Sequence, residues 1–234
     1  MIDREQIARF RSAPDLGLRF LLGVLLAIVW PKLLPAEPTP TQTRLLSGAI
    51  IALTLLVYLG DRRKQEGWWW SSCFAYVAVI FVASGAIVRG DPRWLLWIPS
   101  GGYLAVGSVF AWSIVRPPSV IERAAFWIQP RAPEFIRPYC RVTTGIWAVA
   151  LIAIGSSAVA LSVTTTFAET RQLLRWTPLG LGALALVEVV FRKIWFRHYK
   201  DGWVDRAFAR FFPAERTERG RRSQAYLREI YGPK

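Results

Sequence analysis

The sequence is poor in residues that bind transition metals or act as nucleophilic catalysts. Its 234 residues include one histidine, His198, one methionine and two cysteines, Cys73 and Cys140. Zinc, haem and iron–sulfur sites need several such ligands, so a single chain cannot build the usual ones. A catalytic triad would have to use His198, which lies in a basic tail. We therefore expect no metal, no cofactor and no histidine-based catalysis, and we expect both cysteines to act as small hydrophobic residues.

Charged residues are also scarce, and they lie between long apolar runs. They make up 20% of the chain, against 53% hydrophobic residues. With glycine included, the apolar share is about 60%, above the roughly 45–50% of soluble domains. This composition indicates an integral membrane protein. It excludes intrinsic disorder, a coiled coil and a disulfide scaffold.

Six apolar segments are long enough to cross a bilayer, which requires about 20 residues. They are residues 16–35, 41–59, 67–88, 94–115, 142–163 and 174–195. The first segment follows a stretch of mixed charge and precedes no small-residue cleavage site, so we expect a retained helix. The sequence thus predicts an all-α integral membrane protein, a six-helix transmembrane bundle spanning residues 16–195. Residues 1–15 form a cytoplasmic segment, and residues 196–234 form a basic cytoplasmic tail.

The distribution of lysine and arginine predicts the orientation of this bundle. With a cytoplasmic N-terminus, the inside segments contain 24 of the 30 basic residues, and the three outside loops contain 6. Cytoplasmic loops carry such an excess, which predicts N-in, C-in topology in the bacterial inner membrane. The same excess explains the net charge of +14. Because nothing in the tail specifies a groove or a base, we expect no nucleic-acid partner.

The fourth span contains Pro99, Ser100, Gly101 and Gly102 near its middle. A helix broken at this point would expose backbone groups to a substrate, as in transporters. Alternatively the helix kinks, and its glycines, reinforced by Gly107, allow close packing of helices. The sequence favours close packing without deciding between the two.

Glu188 is the only acidic residue deep in an apolar run. Carboxylates within a membrane are costly and indicate a functional site by default, here a proton-coupled one. Arg192 follows four residues later on the same helical face, so a purely structural ion pair is the alternative.

The loop between the fourth and fifth spans predicts a helix on the membrane surface. Apolar residues at 120, 121, 124, 127 and 128 form its stripe. A polar cluster beside it could bind an anionic headgroup or a carrier-linked substrate, or could simply be a solvated basic loop. The cluster consists of Glu122, Arg123, Arg131, Glu134, Arg137 and Arg141.

The tail contains a second amphipathic segment. Val204, Phe208, Phe211 and Phe212 recur at helical spacing, Trp203 begins the segment, and Arg206 and Arg210 lie on the opposite face. This pattern predicts an interfacial helix on an anionic leaflet, with Trp203, Phe208, Arg210, Phe211 and Phe212 at the membrane surface. The alternative is a short helix packed on the protein itself. Residues 221–230 are predicted to form a further helix that docks a partner.

Several motifs resemble an uncharacterised family of small bacterial inner-membrane proteins. That family occurs beside aryl-polyene and xanthomonadin-type pigment biosynthesis enzymes. The matching residues are Ile121-Glu122-Arg123-Ala124, Tyr139-Cys140-Arg141-Val142-Thr143, Trp147, Glu188 and Arg192, within residues 119–195. This chain has Ala150-Leu151 and Ile154 where the family has a Phe-Phe pair and an asparagine. The resemblance implies a membrane accessory to polyene assembly or export, with Glu122, Arg123, Tyr139, Arg141, Thr143, Trp147 and Glu188 as its candidate residues.

Three function classes stay open. The favoured one is a non-catalytic accessory or scaffold protein that docks a lipid-like or pigment-like ligand, or a partner enzyme, at its cytoplasmic face. The second is a small proton-linked transporter that uses Glu188. The third is a membrane acyl or glycosyl transferase with Glu122 or Glu188 as general acid or base. The expected partners are the bilayer with its anionic lipids, and a biosynthetic enzyme complex or another membrane subunit.

Overall fold

The computed structural model describes residues 34–35, 37–60, 69–128, 133–197, 199 and 202–231. Every regular element in these ranges is helical. Several predictions fall outside them, namely the N-terminal segment, nearly all of the first span, Arg131 and His198. The structure therefore bears on the second to sixth spans, the loop helix and the tail.

Five long helices and three short ones make up the described part of the chain. The long helices are α1 Pro40–Gly60, α2 Trp69–Arg89, α3 Arg93–Val115, α5 Arg137–Thr164 and α6 Phe167–Phe196. The short helices are α4 Val120–Ile128, which connects α3 to α5, and α7 Trp203–Phe211 and α8 Glu218–Tyr231 in the tail. Single 3-10 turns, Glu134–Ile136 and Ala214–Arg216, precede α5 and α8.

Helices α5 and α6 begin earlier than the predicted spans, because each has its own start signal. Pro138 occupies the first turn of α5, where its missing N–H costs nothing. At α6, the hydroxyl of Thr166 accepts a hydrogen bond from the N–H of Glu169, and the Glu169 carboxylate accepts one from the N–H of Thr166. This capping box lowers the pKa of Glu169. Hydropathy alone does not register such signals.

Two helices in the described ranges are long and apolar enough to span a bilayer. One is α3, and the other is α5 together with its preceding turn, Glu134–Thr164. In α2, the stretch Tyr76–Arg89 is apolar but shorter. The other predicted spans stay predictions on this criterion.

The closest packing between helices joins α3 to α5 through two glycines. A Cβ atom on Gly155 would lie 2.9 Å from the carbonyl oxygen of Ser100 and 2.7 Å from Cγ of Leu104. A Cβ atom on Gly107 would lie 2.8 Å from Cγ1 of Ile152. Neither position can hold a larger residue without moving a helix, so these glycines set the separation of α3 and α5.

Helix α3 is continuous through Pro99, which is buried inside it. A Cβ atom on Gly101 or Gly102 would meet nothing within 4 Å. The close-packing interpretation therefore holds for Gly107, whereas the glycines directly after Pro99 pack against no other residue that the structure describes. The broken-helix interpretation of this span is wrong.

The helices bury some hydroxyl side chains and expose many large apolar ones, which is partly the reverse of the pattern in a soluble protein. Buried hydroxyls bond to their own helix: Ser100 donates to the carbonyl oxygen of Leu96 and Thr144 to that of Cys140, each at 2.7 Å. Large apolar side chains meanwhile lie outside. The most exposed ones on the long helices are Leu45, Leu56, Val77, Phe81, Val88, Val115, Val149, Val163 and Leu186.

We predict that Gly155→Ala destabilises the protein and that Gly101→Ala does not. The added methyl group at position 155 overlaps backbone atoms of α3, which costs about 1–3 kcal/mol of unfolding free energy. At position 101 the methyl group meets open space, and the helix gains up to about 1 kcal/mol. Denaturant titration in detergent measures both. Equal effects of the two variants would contradict the packing described above.

Candidate functional site

A cleft of about 580 Å³ opens between α5 and α6 at the end nearest the tail. One wall is a stripe along α5 formed by Tyr139, Val142, Thr143, Ile146 and Trp147. Their spacing of three and four residues places them on one helical face. From Tyr139 to Trp147 this wall extends about 12 Å, at 1.5 Å per residue. The sequence had singled out three of these five residues.

The opposite wall belongs to α6. It is formed by Leu184, Val187, Glu188, Phe191 and Trp195, again at spacings of three and four. Most of the lining is therefore aliphatic or aromatic. Polar groups enter it at Tyr139, Thr143 and Glu188, and at two tail arginines at the mouth.

Glu188 is held across the cleft by Tyr139. The Tyr139 hydroxyl donates a hydrogen bond of 2.8 Å to Oε1 of Glu188, whose side chain is 20% exposed. The predicted partner, Arg192, lies with Nε at 4.0 Å from the same oxygen. Phe191 stacks on the Tyr139 ring and Phe196 meets it edge-on. The interaction between α5 and α6, rather than the pair within α6, is thus the short contact.

The mouth of the cleft carries two arginines that the sequence analysis did not single out. Arg219 and Arg222 reach it from α8. The guanidinium carbon of Arg219 lies 4.2 Å from the centre of the Trp195 ring, a cation–π contact. Arg222 forms an ion pair with Glu218 on the surface of α8. Their spacing of three residues puts both arginines on one face of α8. Nothing in the sequence indicated that this face lies beside α6.

Three residues of the predicted loop cluster, Glu122, Glu134 and Arg137, attach α4 to the start of α5. Glu122 and Ser119 form a reciprocal cap at the start of α4, with both hydrogen bonds at 3.3 Å. Oε1 of Glu122 also lies 3.5 Å from Nε of Arg137, and Arg137 pairs with Glu134 at 3.2 Å. These contacts fasten α4 to the start of α5. Glu122 therefore has a structural role.

Two further candidates lie away from the cleft. Arg123 is exposed, and its Nε donates to the carbonyl oxygen of Pro118 at 2.9 Å. Arg141 is exposed on the face of α5 opposite Tyr139, two residues or about 200° away. Of the eight candidate residues, the structure brings Tyr139, Thr143, Trp147 and Glu188 into the cleft and places Arg192 beside it.

Part of the apolar face of α7, which was predicted to meet the membrane, packs against the protein instead. Phe208 and Phe212 are half-buried and stack on each other, and Asp205 is buried in an ion pair with Lys193 of α6. Trp203 and Phe211 are exposed by 77% and 74%. Phe208 and Phe212 thus pack partly on the protein itself, on the same face as the ion-paired Asp205, which favours the alternative given by the sequence. Their place at a membrane surface stays a prediction.

The tail is fastened to the end of α6 by side-chain contacts. Arg197 donates to the carbonyl oxygen of Pro213, and the Tyr199 hydroxyl donates to that of Phe212 at 2.8 Å. Burial raises the pKa of Tyr199. Gln224 of α8 donates to the carbonyl oxygen of Arg197 at 3.4 Å. These contacts hold α8, and with it both arginines, at the mouth of the cleft.

No protein-family model, curated protein or solved structure matches the chain at a significant level. The family resemblance inferred from the motifs accordingly stays a prediction. The cleft is defined by its own geometry: two apolar walls, one carboxylate bonded to a tyrosine, and two arginines at the mouth.

We predict that Tyr139→Phe destabilises the protein more than Arg192→Gln. Loss of the tyrosine hydroxyl removes the short hydrogen bond to the carboxylate, which costs about 1–2 kcal/mol of unfolding free energy. The Arg192 contact is long and half-exposed, so its loss costs less than about 0.5 kcal/mol. Thermal unfolding in detergent at neutral pH ranks the two variants. The reverse order would show that the pair within α6 holds Glu188.

Proposed function

We propose that the protein is a six-span inner-membrane protein with both termini in the cytoplasm. The two helices that meet the length and hydropathy criteria are mostly exposed, unlike the core helix of a soluble protein. Exposed Leu, Val and Phe side chains on the long helices suit a lipid surrounding. Buried serine and threonine hydroxyls that bond within their helix suit it too, because no water is needed to satisfy them.

The interhelical polar contacts support the alternating topology. Trp97 donates to the hydroxyl of Ser162, and Arg171 donates to the carbonyl oxygen of Leu34, both at 2.7 Å. All four residues lie near predicted outside loops. The contacts of Tyr139, Glu122 and the tail join predicted inside segments. Each of these contacts, within the described part of the chain, joins segments assigned to the same side.

We further propose that the protein is a non-catalytic accessory that holds a long-chain, lipid-like ligand at its cytoplasmic face. The observation that carries this proposal is the cleft between α5 and α6 with its apolar walls. Its volume of about 580 Å³ lies within the roughly 300–1,000 Å³ of ligand pockets. An acyl chain or a polyene fits such walls, in keeping with the resemblance to a pigment-associated family.

The surface of the tail is suited to an anionic leaflet. Trp203 is exposed on the same face of α7 as Arg206 and Arg210, and Phe211 is exposed at the edge of that face. Aromatic rings favour the headgroup level, and arginines favour anionic lipids. This face would rest on the membrane beside the mouth of the cleft, where a partner enzyme could deliver or collect the ligand.

We predict that Val187→Trp blocks the ligand and that Leu186→Trp does not. Val187 lines the cleft, whereas its neighbour Leu186 does not, and the two side chains are similarly exposed, at 63% and 65%. A tryptophan side chain at position 187 fills the cleft and displaces the acyl chain of the ligand. The amount of bound lipid therefore falls on the order of tenfold. Quantitative lipid extraction after detergent purification measures the lipid per protein. Equal retention by both variants would remove the docking proposal.

A proton-linked transporter is the second candidate, favoured by the position of Glu188 on the cleft wall. Glu188→Gln separates the two functions. Under lipid docking, retention is unchanged because the amide oxygen still accepts the Tyr139 hydrogen bond. Under transport, substrate-driven proton uptake into proteoliposomes, followed by a pH-sensitive dye, falls to background. Glu122→Gln removes the same charge outside the cleft and serves as the control.

The transferase hypothesis has less support. It relied on Glu122 or Glu188 as general acid or base, and Glu122 is engaged in the cap of α4 and the pair with Arg137. Glu188 is engaged by Tyr139.

A further inference from the structure

The two arginines at the mouth of the cleft have no evident role in folding the membrane-embedded helices. Arg219 lies over Trp195, and no ion pair of Arg219 occurs within the described part of the chain. Arg222 is 64% exposed, and its partner Glu218 belongs to the same helix. Both guanidinium groups therefore have hydrogen-bond donors available at the mouth.

The balance of charge around the cleft favours an anion. Arg219 and Arg222 line the mouth, and Arg192 lies one helical turn from Glu188. Among the described lining residues Glu188 alone is acidic, and the Tyr139 hydroxyl already engages it. Glu218, outside the lining, offsets part of the charge of Arg222. Arginine binds phosphate through paired hydrogen bonds, and two arginines three residues apart on a helix are close enough to share one phosphate.

The length of the cleft fits one leaflet of a bilayer. From Trp195 at the mouth to Leu184 at the far end, the α6 wall extends about 16 Å at 1.5 Å per residue. Half of the hydrocarbon core is about 15 Å thick. A chain lying along the cleft would reach the bilayer midplane with its headgroup at the level of Arg219.

We propose that the cleft binds an anionic phospholipid of the cytoplasmic leaflet. Arg219 and Arg222 bind its phosphate, and one acyl chain lies between α5 and α6. This inference rests on the proposed docking function, which concerns the acyl chain of the ligand. It adds the chemical class of the headgroup. The basic tail thereby takes part in ligand recognition as well as membrane orientation.

The same helix offers a matched control for net charge. Arg221 and Arg228 are exposed on the face of α8 opposite Arg219 and do not line the cleft. The double variants R219Q/R222Q and R221Q/R228Q therefore lose equal charge from one helix. A third variant, R219K/R222K, keeps the charge at the mouth.

The experiment uses the full chain in detergent with dioleoyl phosphatidylglycerol and dioleoyl phosphatidylcholine, which share their acyl chains. Native mass spectrometry measures the lipid retained by each variant. We expect the unsubstituted protein and R221Q/R228Q to prefer phosphatidylglycerol. R219Q/R222Q loses that preference on the order of tenfold, and R219K/R222K retains most of it. Thermal unfolding checks that each variant is folded.

Two results overturn the inference. If R221Q/R228Q loses as much preference as R219Q/R222Q, the tail attracts anions only through its overall charge. If R219Q/R222Q keeps the preference, its arginines do not bind the headgroup. Val187→Trp separates this failure from that of the docking function. If Val187→Trp loses both lipids while R219Q/R222Q keeps its preference for phosphatidylglycerol, only the headgroup site is refuted. If Val187→Trp retains both lipids in full, the docking function is refuted.

Discussion

The close approach of α3 and α5 at Gly107 and Gly155 is the constraint on which the rest of the molecule depends. With no side chain at either position, the two helices pack along much of their length. That packing fixes which face of α5 points away from α3, and this face carries Tyr139 and Ile146, with Trp147 at its edge. Because α6 meets α5 less extensively, a cleft remains between them. A larger residue at Gly155 would shift the wall and the mouth together.

The hydrogen bond from Tyr139 to Glu188 is the second condition for the cleft. A carboxylate in a surrounding of low polarity needs donors, and α6 itself offers only the distant Arg192. Tyr139 supplies the donor from α5, and Phe191 and Phe196 hold its ring in place. One polar contact thus satisfies the carboxylate and sets the separation of the two walls near the mouth. The lining below it is mostly aliphatic and aromatic.

Much of this arrangement could be predicted from the sequence, and the reasons for the failures are physical. Hydropathy located the described long helices, although α5 begins five residues and α6 seven residues before the predicted span. Tyr139, Thr143 and Trp147 were singled out by the family resemblance, and their spacing is that of one helical face. Rotation about a helix axis is set by packing, so the Tyr139–Glu188 contact could not be derived. The inward turn of Phe208 follows from the ion pair of Asp205 with Lys193, a tertiary contact that amphipathic spacing does not contain.

The basic tail is a second case in which the sequence could not show the contacts of individual side chains. The orientation rule treats all its lysines and arginines as one quantity, since any positive charge resists translocation. The fold divides them. Arg197 bonds to the carbonyl oxygen of Pro213, Arg221 and Arg228 face outward, and Arg219 and Arg222 face the cleft. A charge needed only for orientation could lie anywhere in the tail. Arg219 and Arg222 are instead held at the end of an apolar cleft about as long as one leaflet is thick. This is the position that the phosphate of the proposed lipid requires.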